Sequence, residues 1–461
     1  MKCDVLVVGS SNENLLLALE LIEKGKNVLI IDTMKRSIEL ENIYKLDRFE
    51  FVDNYEYLYT ERVKKLLNYY DITSDSDYEE YKYHTNLVTY DENYEYEITS
   101  SAKSFISQVK TYFSNTKNMD ELFKLALECF KATNLELQNE PVNKDLYPNY
   151  YKYKNVSYKK VLDKLHINRN IQNLLETLTE LPFNIPFNDF ATTLYATIVE
   201  KKYKLTKNNL YLFYKLRKRI LSSGTKIIYN VNIKSINVID GKINNVVLDD
   251  DIVIECNSLV YGKMPSTIIP ILNSNIIKPT DINKINQTTK VKIFLGLIKP
   301  LQEINLNKGK YIIKSNDNYD INNVNETLYL DDYDNKSIIT IECNYKNNCW
   351  NNYITREKYF YQCEKIANEL VGCFEDLTKK DIKEYIDQIK IVTPVDYANK
   401  NENEYGASFE ELSMDLKNRL LSIKNLYITN LYLEYDYLFN SKYLVNNMLA
   451  KRIGGASNEN N

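Results

Sequence analysis

The first 32 residues constrain the fold most, because they have the pattern of a dinucleotide-binding βαβ unit. Residues 3–8 predict a buried parallel strand, residues 14–24 a helix, and residues 27–32 a second strand that ends in Asp32. In such units the acid contacts a ribose, and the turn before the helix binds a pyrophosphate. The chain is therefore predicted to be an α/β protein with a Rossmann-like core.

The turn before that helix lacks two glycines of the fingerprint G-x-G-x-x-G. Gly9 is present, but Ser11 and Asn14 stand at the second and third glycine positions. The second glycine lets the pyrophosphate approach the backbone, and the third lets the helix lie close to the strand. A Gly-Gly doublet, usual after the acid in flavoproteins of this class, is also missing from residues 33–41. We predict that the cofactor has been lost; a degenerate site with weak nucleotide binding is the alternative.

Composition excludes several classes of function. The chain has 461 residues, with 59 basic and 63 acidic side chains, so no strong field favours nucleic acid or an anionic membrane. No apolar run approaches the roughly 20 residues of a membrane span. Seven cysteines without a C-x-x-C pair, and two histidines, predict no metal site and reduced thiols in a cytoplasmic protein. With only 11 glycines in the chain, a missing motif glycine carries less weight than usual.

Changes of hydrophobic period predict the domain organisation. From Ser100 the pattern is helical, and residues 118–133 space their apolar side chains as one stripe. We predict an inserted helical domain at residues 100–204, and a flavoprotein-like domain with an antiparallel β lobe from residues 1–99 and 205–461. A basic helix at residues 210–221 precedes a ladder of strands, and residues 425–430 and 441–453 predict a closing strand and helix.

With these elements placed, the chain resembles the superfamily of Rab escort proteins and Rab GDP-dissociation inhibitors, which have a flavoprotein fold without flavin. The resemblance is best at residues 25–32, Gly-Lys-Asn-Val-Leu-Ile-Ile-Asp, where the family has G-[KR]-[KR]-V-L-H-x-D. Weaker matches follow in order at residues 155–162, 165–172, 223–225 and 425–430. The resemblance implies a non-catalytic protein without cofactor that binds Rab GTPases in their GDP form and contacts membranes only transiently.

The resemblance also implies a Rab-binding surface, although this chain departs from the family there. The family's Tyr-Tyr-Gly-Gly segment after the acid is replaced around Arg36 and Ser37. The family also has an acidic residue just before the helix of its Rab-binding surface, and a basic residue on that helix. In this chain, where the helix is at residues 210–221, the acidic residue is lost and the basic one remains, as Lys215 or Arg217. These four residues are the predicted Rab contacts.

Phe105 favours the escort proteins over the dissociation inhibitors. It stands where escort proteins carry a Phe that contacts Rab geranylgeranyltransferase, although an inward-facing helix residue is the alternative. An escort protein also shields the geranylgeranyl lipid, for which the helical domain is the expected place. The predicted groove residues are Phe123, Leu127, Phe130, Leu174 and Leu178. A GDP-dissociation inhibitor is the first alternative, and an FAD-dependent oxidoreductase of the amine-oxidase or phytoene-desaturase type is the second.

Overall fold

The computed structural model describes residues 1–53, 58–81, 83–88, 93–138, 140–179, 185–207, 210–314, 325–333, 335–346, 355–401, 409–431 and 441–455. The first elements are β1 (Lys2–Val8), α1 (Asn12–Glu23), β2 (Val28–Ile31), α2 (Ile38–Glu41), β3 (Ile43–Leu46), β4 (Phe49–Val52), β5 (Leu58–Thr60), α3 (Glu61–Tyr69), β6 (Tyr78–Glu80), β7 (Tyr83–Val88) and β8 (Asn93–Ile98). The predicted βαβ unit is therefore present, with the helix beginning two residues earlier than expected.

A block of helices follows, as the change of period predicts. Its elements are α4 (Ala102–Tyr112), α5 (Met119–Leu137), α6 (Pro148–Tyr153), α7 (Tyr158–Lys164), α8 (Arg169–Thr179) and α9 (Phe187–Ile198), after which come β9 (Lys202–Leu205) and α10 (Tyr211–Ser222). Helices α4 to α9 share one buried apolar cluster, which also takes in Tyr96 and Ile312 of the neighbouring sheet. The boundaries 100–204 for a separate helical domain stay a proposal.

The remaining elements are β10 (Ile227–Ile228), β11 (Ile233–Ile239), β12 (Lys242–Leu248), β13 (Val253–Tyr261), α11 (Pro265–Ile268), β14 (Leu272–Asn273), β15 (Ile285–Leu297), β16 (Gly309–Lys314), β17 (Asn325–Tyr333), β18 (Lys336–Lys346), α12 (Arg356–Thr378), β19 (Ile386–Val392), α13 (Pro394–Asn401), β20 (Phe409–Leu412), α14 (Met414–Leu421), β21 (Leu426–Ile428) and α15 (Ser441–Gly455). None of the helices in the described part of the chain is long and apolar enough to cross a membrane.

The first sheet is the Rossmann-like core. Strands β10, β2, β1 and β13 lie side by side in parallel, and β21 adds to β13, also in parallel. Strand β1 is buried on both faces: Val5 and Val7 pack into one apolar cluster, Leu6 and Val8 into another. That two-sided burial explains why β1 reads as a continuous apolar run rather than an alternating one. The predicted fold class, α/β with a Rossmann-like dinucleotide-binding architecture, is confirmed.

Elements that are far apart in the sequence meet in this core. Helix α1 packs between α10 and α15, so the last helix covers the first. Polar side chains line this contact: Asn447 donates to a carboxylate oxygen of Glu20 at 2.8 Å, and the Lys24 amine donates to the carbonyl of Ala450 at 3.0 Å. Glu20 is buried, and this burial raises its pKa to about 7. The predicted return of the C-terminal strand and helix to the first domain is confirmed.

The second sheet is the β lobe, with its strands in the order β19, β15, β18, β17, β16, β7 and β8. Strands β15, β16, β17 and β18 pair in antiparallel fashion, as predicted for this region. Helix α12 contributes Ile366, Leu370 and Phe374 to the apolar cluster of this sheet. Thus the β lobe has its own core, separate from that of the first sheet.

Strand β8 lies at an edge of the second sheet, and side chains of α4 cover its outward backbone groups. The amide of Gln108 both accepts from the Glu97 N–H at 2.7 Å and donates to the Glu97 carbonyl at 2.9 Å. The Tyr112 hydroxyl meets the N–H and the carbonyl of Glu95, each at 3.2 Å. These contacts occupy groups that would otherwise be open to pairing with another strand.

Candidate functional site at the degenerate dinucleotide loop

A cavity of about 500 Å³ lies beside the loop that follows β1, between the two sheets. Gly9, Asp32 and Gly262 line it from the first sheet, and Lys292 lines it from the second. In open α/β sheets ligands bind outside the carboxyl ends of the strands, and β1, β2 and β13 end here. This cavity is therefore where a dinucleotide would be sought.

Asn14, at the third glycine position, fills the space between the loop and the neighbouring strand end. It is 2% exposed, and its side-chain carbonyl accepts a hydrogen bond from Asn446 of α15 at 3.1 Å. A Cβ added at Gly262, just after β13, would lie 2.0 Å from the Asn14 side-chain nitrogen. Close packing of helix and sheet is thus kept, because the missing glycine of the loop is compensated by Gly262 across from it.

Asp32, the predicted ribose-binding acid, is satisfied within the protein. Its carboxylate accepts from the backbone N–H of Ser10 at 2.9 Å and from the Ser10 hydroxyl at 2.6 Å. The Lys263 amine lies 3.2 Å from the other carboxylate oxygen, which also accepts from the Met34 N–H at 3.1 Å. Asp32 is only 2% exposed, so a ribose could reach its carboxylate only by displacing these partners.

The N-terminus of α1 is also satisfied within the protein. The Asn12 N–H, the first of the helix, donates to a carboxylate oxygen of Glu39 at 3.0 Å. Ser11 caps the helix by accepting from the Asn14 N–H at 3.5 Å. A helix N-terminus is where the fold binds a pyrophosphate, since its free N–H groups and dipole favour an anion. Here a carboxylate of the chain itself holds that position.

FAD or NAD does not fit the residues present. The ribose-binding acid, the helix N-terminus and the third glycine position are each engaged by groups of the chain. A dinucleotide would need all three at once. The prediction that the chain binds no such cofactor therefore stays a prediction, with this geometry in its favour. Among the described residues, no group of His, Cys, Asp or Glu side chains is arranged to hold a metal ion.

A buried ion network forms the wall of the cavity on the side of the β lobe. The Lys292 amine lies 3.0 Å from the Asp53 carboxylate and 2.7 Å from that of Glu342. Burial opposes the charge on Lys292, but the two carboxylates hold its pKa above the usual value. The Tyr397 hydroxyl donates to Asp53 at 3.3 Å, and burial beside this charge raises its pKa well above normal. The Lys290 amine lies 3.5 Å from the Glu342 carboxylate and supplies a second positive charge, so two lysines balance the two carboxylates. Such a balance is typical of a structural cluster as well as of a functional one.

The predicted Rab contacts fall into two groups. Arg36 is exposed and pairs with Glu41, and Lys215 and Arg217 are exposed on α10. Ser37 is 0% exposed and donates its hydroxyl proton to the Ser10 carbonyl at 2.6 Å. The prediction that Ser37 touches a partner is therefore wrong, because its side chain caps α2 and ties it to the loop.

Contacts of Tyr229 and Asn230 connect Arg217 of α10 with the segment that carries Arg36. Tyr229, just after β10, lies near Arg217, Ser10 and Asp32: its pKa is raised by burial, and the nearby Arg217 charge partly offsets that effect. The next residue, Asn230, donates its backbone N–H to the Met34 carbonyl at 2.8 Å. Helix α10 and the segment that carries Arg36 are thereby linked.

Phe105 is not at the surface. Its side chain is 1% exposed, with its ring 5.6 Å from that of Tyr96 and 6.1 Å from that of Phe123. The prediction of an exposed anchor for a prenyltransferase is wrong, and the alternative of an inward-facing helix residue is correct. The physical reason is that α4 packs on β8 and α5 through the face that carries Phe105.

The predicted lipid-groove residues do not form one open groove. Phe123, Leu174 and Leu178 are each at most 5% exposed, in the shared core of the helices, so their assignment to an open groove is wrong. Phe130 is half-buried on a different apolar cluster, where its ring lies 4.7 Å from that of Tyr195. Leu127 is half-buried. Phe123, Leu127 and Phe130 belong to the apolar stripe of α5, most of which packs against neighbouring helices.

Sequence reasoning missed Glu39, Lys263 and Asn446, which satisfy the loop, the acid and Asn14. No motif marks them, because each acts through a contact between distant parts of the chain. The compensating role of Gly262 could have been predicted. A larger residue at the third glycine position requires a small residue opposite, and with only 11 glycines in the chain there are few candidates.

The fold is a Rossmann-like dinucleotide-binding architecture of the kind found in oxidases and in a Rab GDI. No protein-family model matches the chain, and no curated protein matches it. Among solved structures, it is similar to a putrescine oxidase bound to putrescine, with a TM-score of 0.63, 12% identity and 99% of each chain covered.

Two further solved structures show the same fold. An oxidoreductase from Methanosarcina mazei has a TM-score of 0.58 at 11% identity, over 93% of this chain and 94% of that one. A Rab GDI from Plasmodium falciparum has a TM-score of 0.52 at 11% identity, over 93% of this chain and 92% of that one. At these identities the likeness establishes the fold alone, and an oxidase, another oxidoreductase and a Rab GDI share it.

Proposed function

We propose that this chain is a non-catalytic protein that binds Rab GTPases in their GDP form, in the manner of a Rab GDP-dissociation inhibitor, and acts in the cytoplasm. The observation that carries the proposal is the internally satisfied dinucleotide loop. Glu39 on the helix N-terminus, Ser10 and Lys263 on Asp32, and Asn14 at a glycine position argue against a flavin enzyme. Of the structurally similar proteins, the Rab GDI combines this fold with a function that needs no catalysis.

Burial of Phe105 favours an inhibitor over an escort protein. That residue was the one feature of the sequence on which the escort assignment rested, and it is a core residue. With Phe105 in the core, no residue supports the idea that the chain presents Rab to a geranylgeranyltransferase. Binding of the geranylgeranyl lipid stays part of the proposal, but it requires helices of this cluster to move apart, because Phe123 of α5 and Leu174 of α8 are buried in it and both helices pack on α9.

The Rab-binding surface is proposed to consist of Arg36, Lys215 and Arg217. All three side chains are exposed, and the segments that carry them are linked through Tyr229 and Asn230. Charged groups at such an interface steer the partner and reject a surface of the same sign. An acidic patch on the GTPase is the complement that these residues require.

The direct test measures binding of the purified full chain to a panel of Rab GTPases loaded with GDP or a non-hydrolysable GTP analogue. We expect tighter binding to the GDP forms. Replacing Lys215 and Arg217 together by Glu should weaken binding by at least about 2 kcal/mol, or about thirtyfold, because two attractive contacts become repulsive.

Lys144→Glu, at an exposed lysine in the segment before α6, is the matched control and should leave the affinity unchanged. Failure of every GDP-loaded Rab to bind would reject the proposed function. Equal affinities of the double variant and the control would remove α10 from the interface.

A flavin-dependent oxidoreductase is the second candidate, favoured by the higher TM-scores to oxidases and by the cavity of about 500 Å³. The visible absorption spectrum of the purified chain separates the two candidates, since bound flavin absorbs in the visible range. We expect no flavin in the supernatant after denaturation. Stoichiometric release of flavin would overturn the non-catalytic assignment.

A further inference from the structure

The segment between β2 and β3, residues 33–42, is fastened to the dinucleotide loop at several points. The Ser37 hydroxyl donates to the Ser10 carbonyl, and the Lys263 amine donates to the Thr33 hydroxyl. Glu39, in the middle of α2, accepts from the Asn12 N–H at 3.0 Å. The segment therefore lies against the turn that in a dinucleotide-binding protein faces the pyrophosphate.

The contact of Glu39 differs in kind from the others, because it places a carboxylate on the end of a helix. Helix α1 has 12 residues, and Asn12 is the first of them. Its N–H lacks a partner within the helix, so an external acceptor must supply one. An anion is the favoured acceptor, since the helix dipole places partial positive charge at this end.

We propose that Glu39 is a built-in anionic ligand of α1, which takes the place of a cofactor phosphate and orders residues 33–42. The same residues carry Arg36 on their outer side, so the arrangement turns a cofactor-dependent loop into one that is ordered by the chain itself. The Ser37 and Thr33 contacts hold other parts of the segment, and the Glu39 contact is the one of these that also satisfies the end of α1.

Electrostatics makes the proposal specific. A carboxylate and a phosphate compete for the same N–H groups, and their charges repel at hydrogen-bond distance. Glu39 should therefore both order the segment and exclude a free anion from the end of α1. Loss of the carboxylate should loosen the segment and admit an anion, whereas a neighbouring glutamate should do neither.

The test uses hydrogen–deuterium exchange on the full chain, with inorganic pyrophosphate as the probe. The variants are Glu39→Ala and Glu39→Gln. The control is Glu41→Ala, which removes the other glutamate carboxylate of α2, the one that pairs with Arg36. In Glu39→Ala, exchange of the Asn12 amide and of residues 33–42 should rise about tenfold, because helix-end contacts of a charged group are lost. Glu41→Ala should leave exchange at Asn12 unchanged.

Pyrophosphate gives the second readout. It should restore slow exchange at Asn12 in Glu39→Ala, and leave the native chain and the control unaffected. Glu39→Gln keeps an oxygen that accepts the hydrogen bond but lacks the charge, so it should fold and also gain protection from pyrophosphate. If Glu39→Ala does not fold, the response of Glu39→Gln to pyrophosphate tests the proposal.

Two results would each overturn the proposal. One is exchange in Glu39→Ala that matches the native chain at Asn12 and residues 33–42. The other is an equal response of the native chain and both Glu39 variants to pyrophosphate. Because neither measurement involves a GTPase, they are independent of whether the chain binds Rab proteins.

Discussion

Gly262→Ala tests the packing that replaces the third glycine of the loop. The new Cβ would lie 2.0 Å from the side-chain nitrogen of Asn14 and 2.6 Å from its Cγ, well inside van der Waals contact. Asn14 must therefore move, and its hydrogen bond with Asn446 at 3.1 Å is lost. Both residues are at most 2% exposed, so water cannot easily replace the lost partner.

The two costs can be estimated separately. Overpacking of a well-packed core costs about 1 to 3 kcal/mol. Leaving the buried amide of Asn446 without its partner costs about 1 to 3 kcal/mol more. We therefore expect Gly262→Ala to lower the free energy of unfolding by about 2 to 6 kcal/mol.

Asn14→Ala separates these terms. This variant already lacks the hydrogen bond, but it leaves room for a Cβ at Gly262, so adding Gly262→Ala to it should cost less than about 0.5 kcal/mol. The coupling energy of the double-mutant cycle, from urea unfolding followed by circular dichroism, should then be about 2 kcal/mol or more. Equal costs of Gly262→Ala in the two backgrounds would refute the reasoning.

The remaining predictions concern stability, pH and association. Phe105→Ala should lower the free energy of unfolding, measured in urea, by about 3 to 5 kcal/mol. The control Phe360→Ala, at a side chain 54% exposed, should lower it by less than about 0.5 kcal/mol. A larger loss for Phe360→Ala than for Phe105→Ala would show that Phe105 is a surface residue. Burial raises the pKa of Glu20 from 4.5 to about 7, so the folded state binds this proton more tightly, and stability should fall as pH rises from 4.5 to 7. Glu20→Gln should abolish that part of the pH dependence and gain about 2 to 3 kcal/mol at pH 8 in parallel denaturation curves; identical pH profiles would contradict it. Gln108→Ala with Tyr112→Phe should uncover the edge of β8 and cause concentration-dependent association in sedimentation velocity, whereas a monomer at all concentrations would show that the edge is protected otherwise.

The fold was predictable wherever apolar periodicity and chain order were sufficient. The continuous apolar run of β1 required burial on both faces, and the strand and helix at the C-terminus follow the order that closes a dinucleotide-binding domain. Strands β15, β16 and β18 and their antiparallel sheet were also predictable, because alternation of apolar residues specifies a strand with one buried face, whereas β17 was not predicted.

The surface assignments were less predictable, since periodicity shows that a helix has an apolar face but does not show what covers it. Phe105 and Phe123 were read as binding residues, yet neighbouring helices and β8 cover them. Ser37 was predicted to be a Rab contact because it stands where the family resembled has Tyr-Tyr-Gly-Gly, whereas its hydroxyl is used within the loop. Basic residues of α10 were correctly predicted to be exposed, because charged side chains are seldom buried without a partner.

The cofactor loop was half predictable. The roles of the missing glycines show what Ser11 and Asn14 would obstruct, but they do not show how the chain accommodates the change. Glu39, Lys263 and Asn446 reach the loop from three separate stretches of sequence. Pairings over such separations depend on the completed tertiary structure, and a single sequence without a motif carries no local sign of them.

The cover that α15 places on α1 has a consequence for the order of events during synthesis. Strand β1 and helix α1 leave the ribosome long before their partners β13, β21 and α15 are made. Until then, Leu15, Leu16 and Leu19 of α1 lack the surfaces that bury them in the finished protein. The nascent chain must therefore carry this layer unfinished until β13, β21 and α15 have been made, and the exposed layer is a target for chaperones. A stop codon that removes only α15 should act as a folding defect of the whole Rossmann-like core, and not as the loss of a tail.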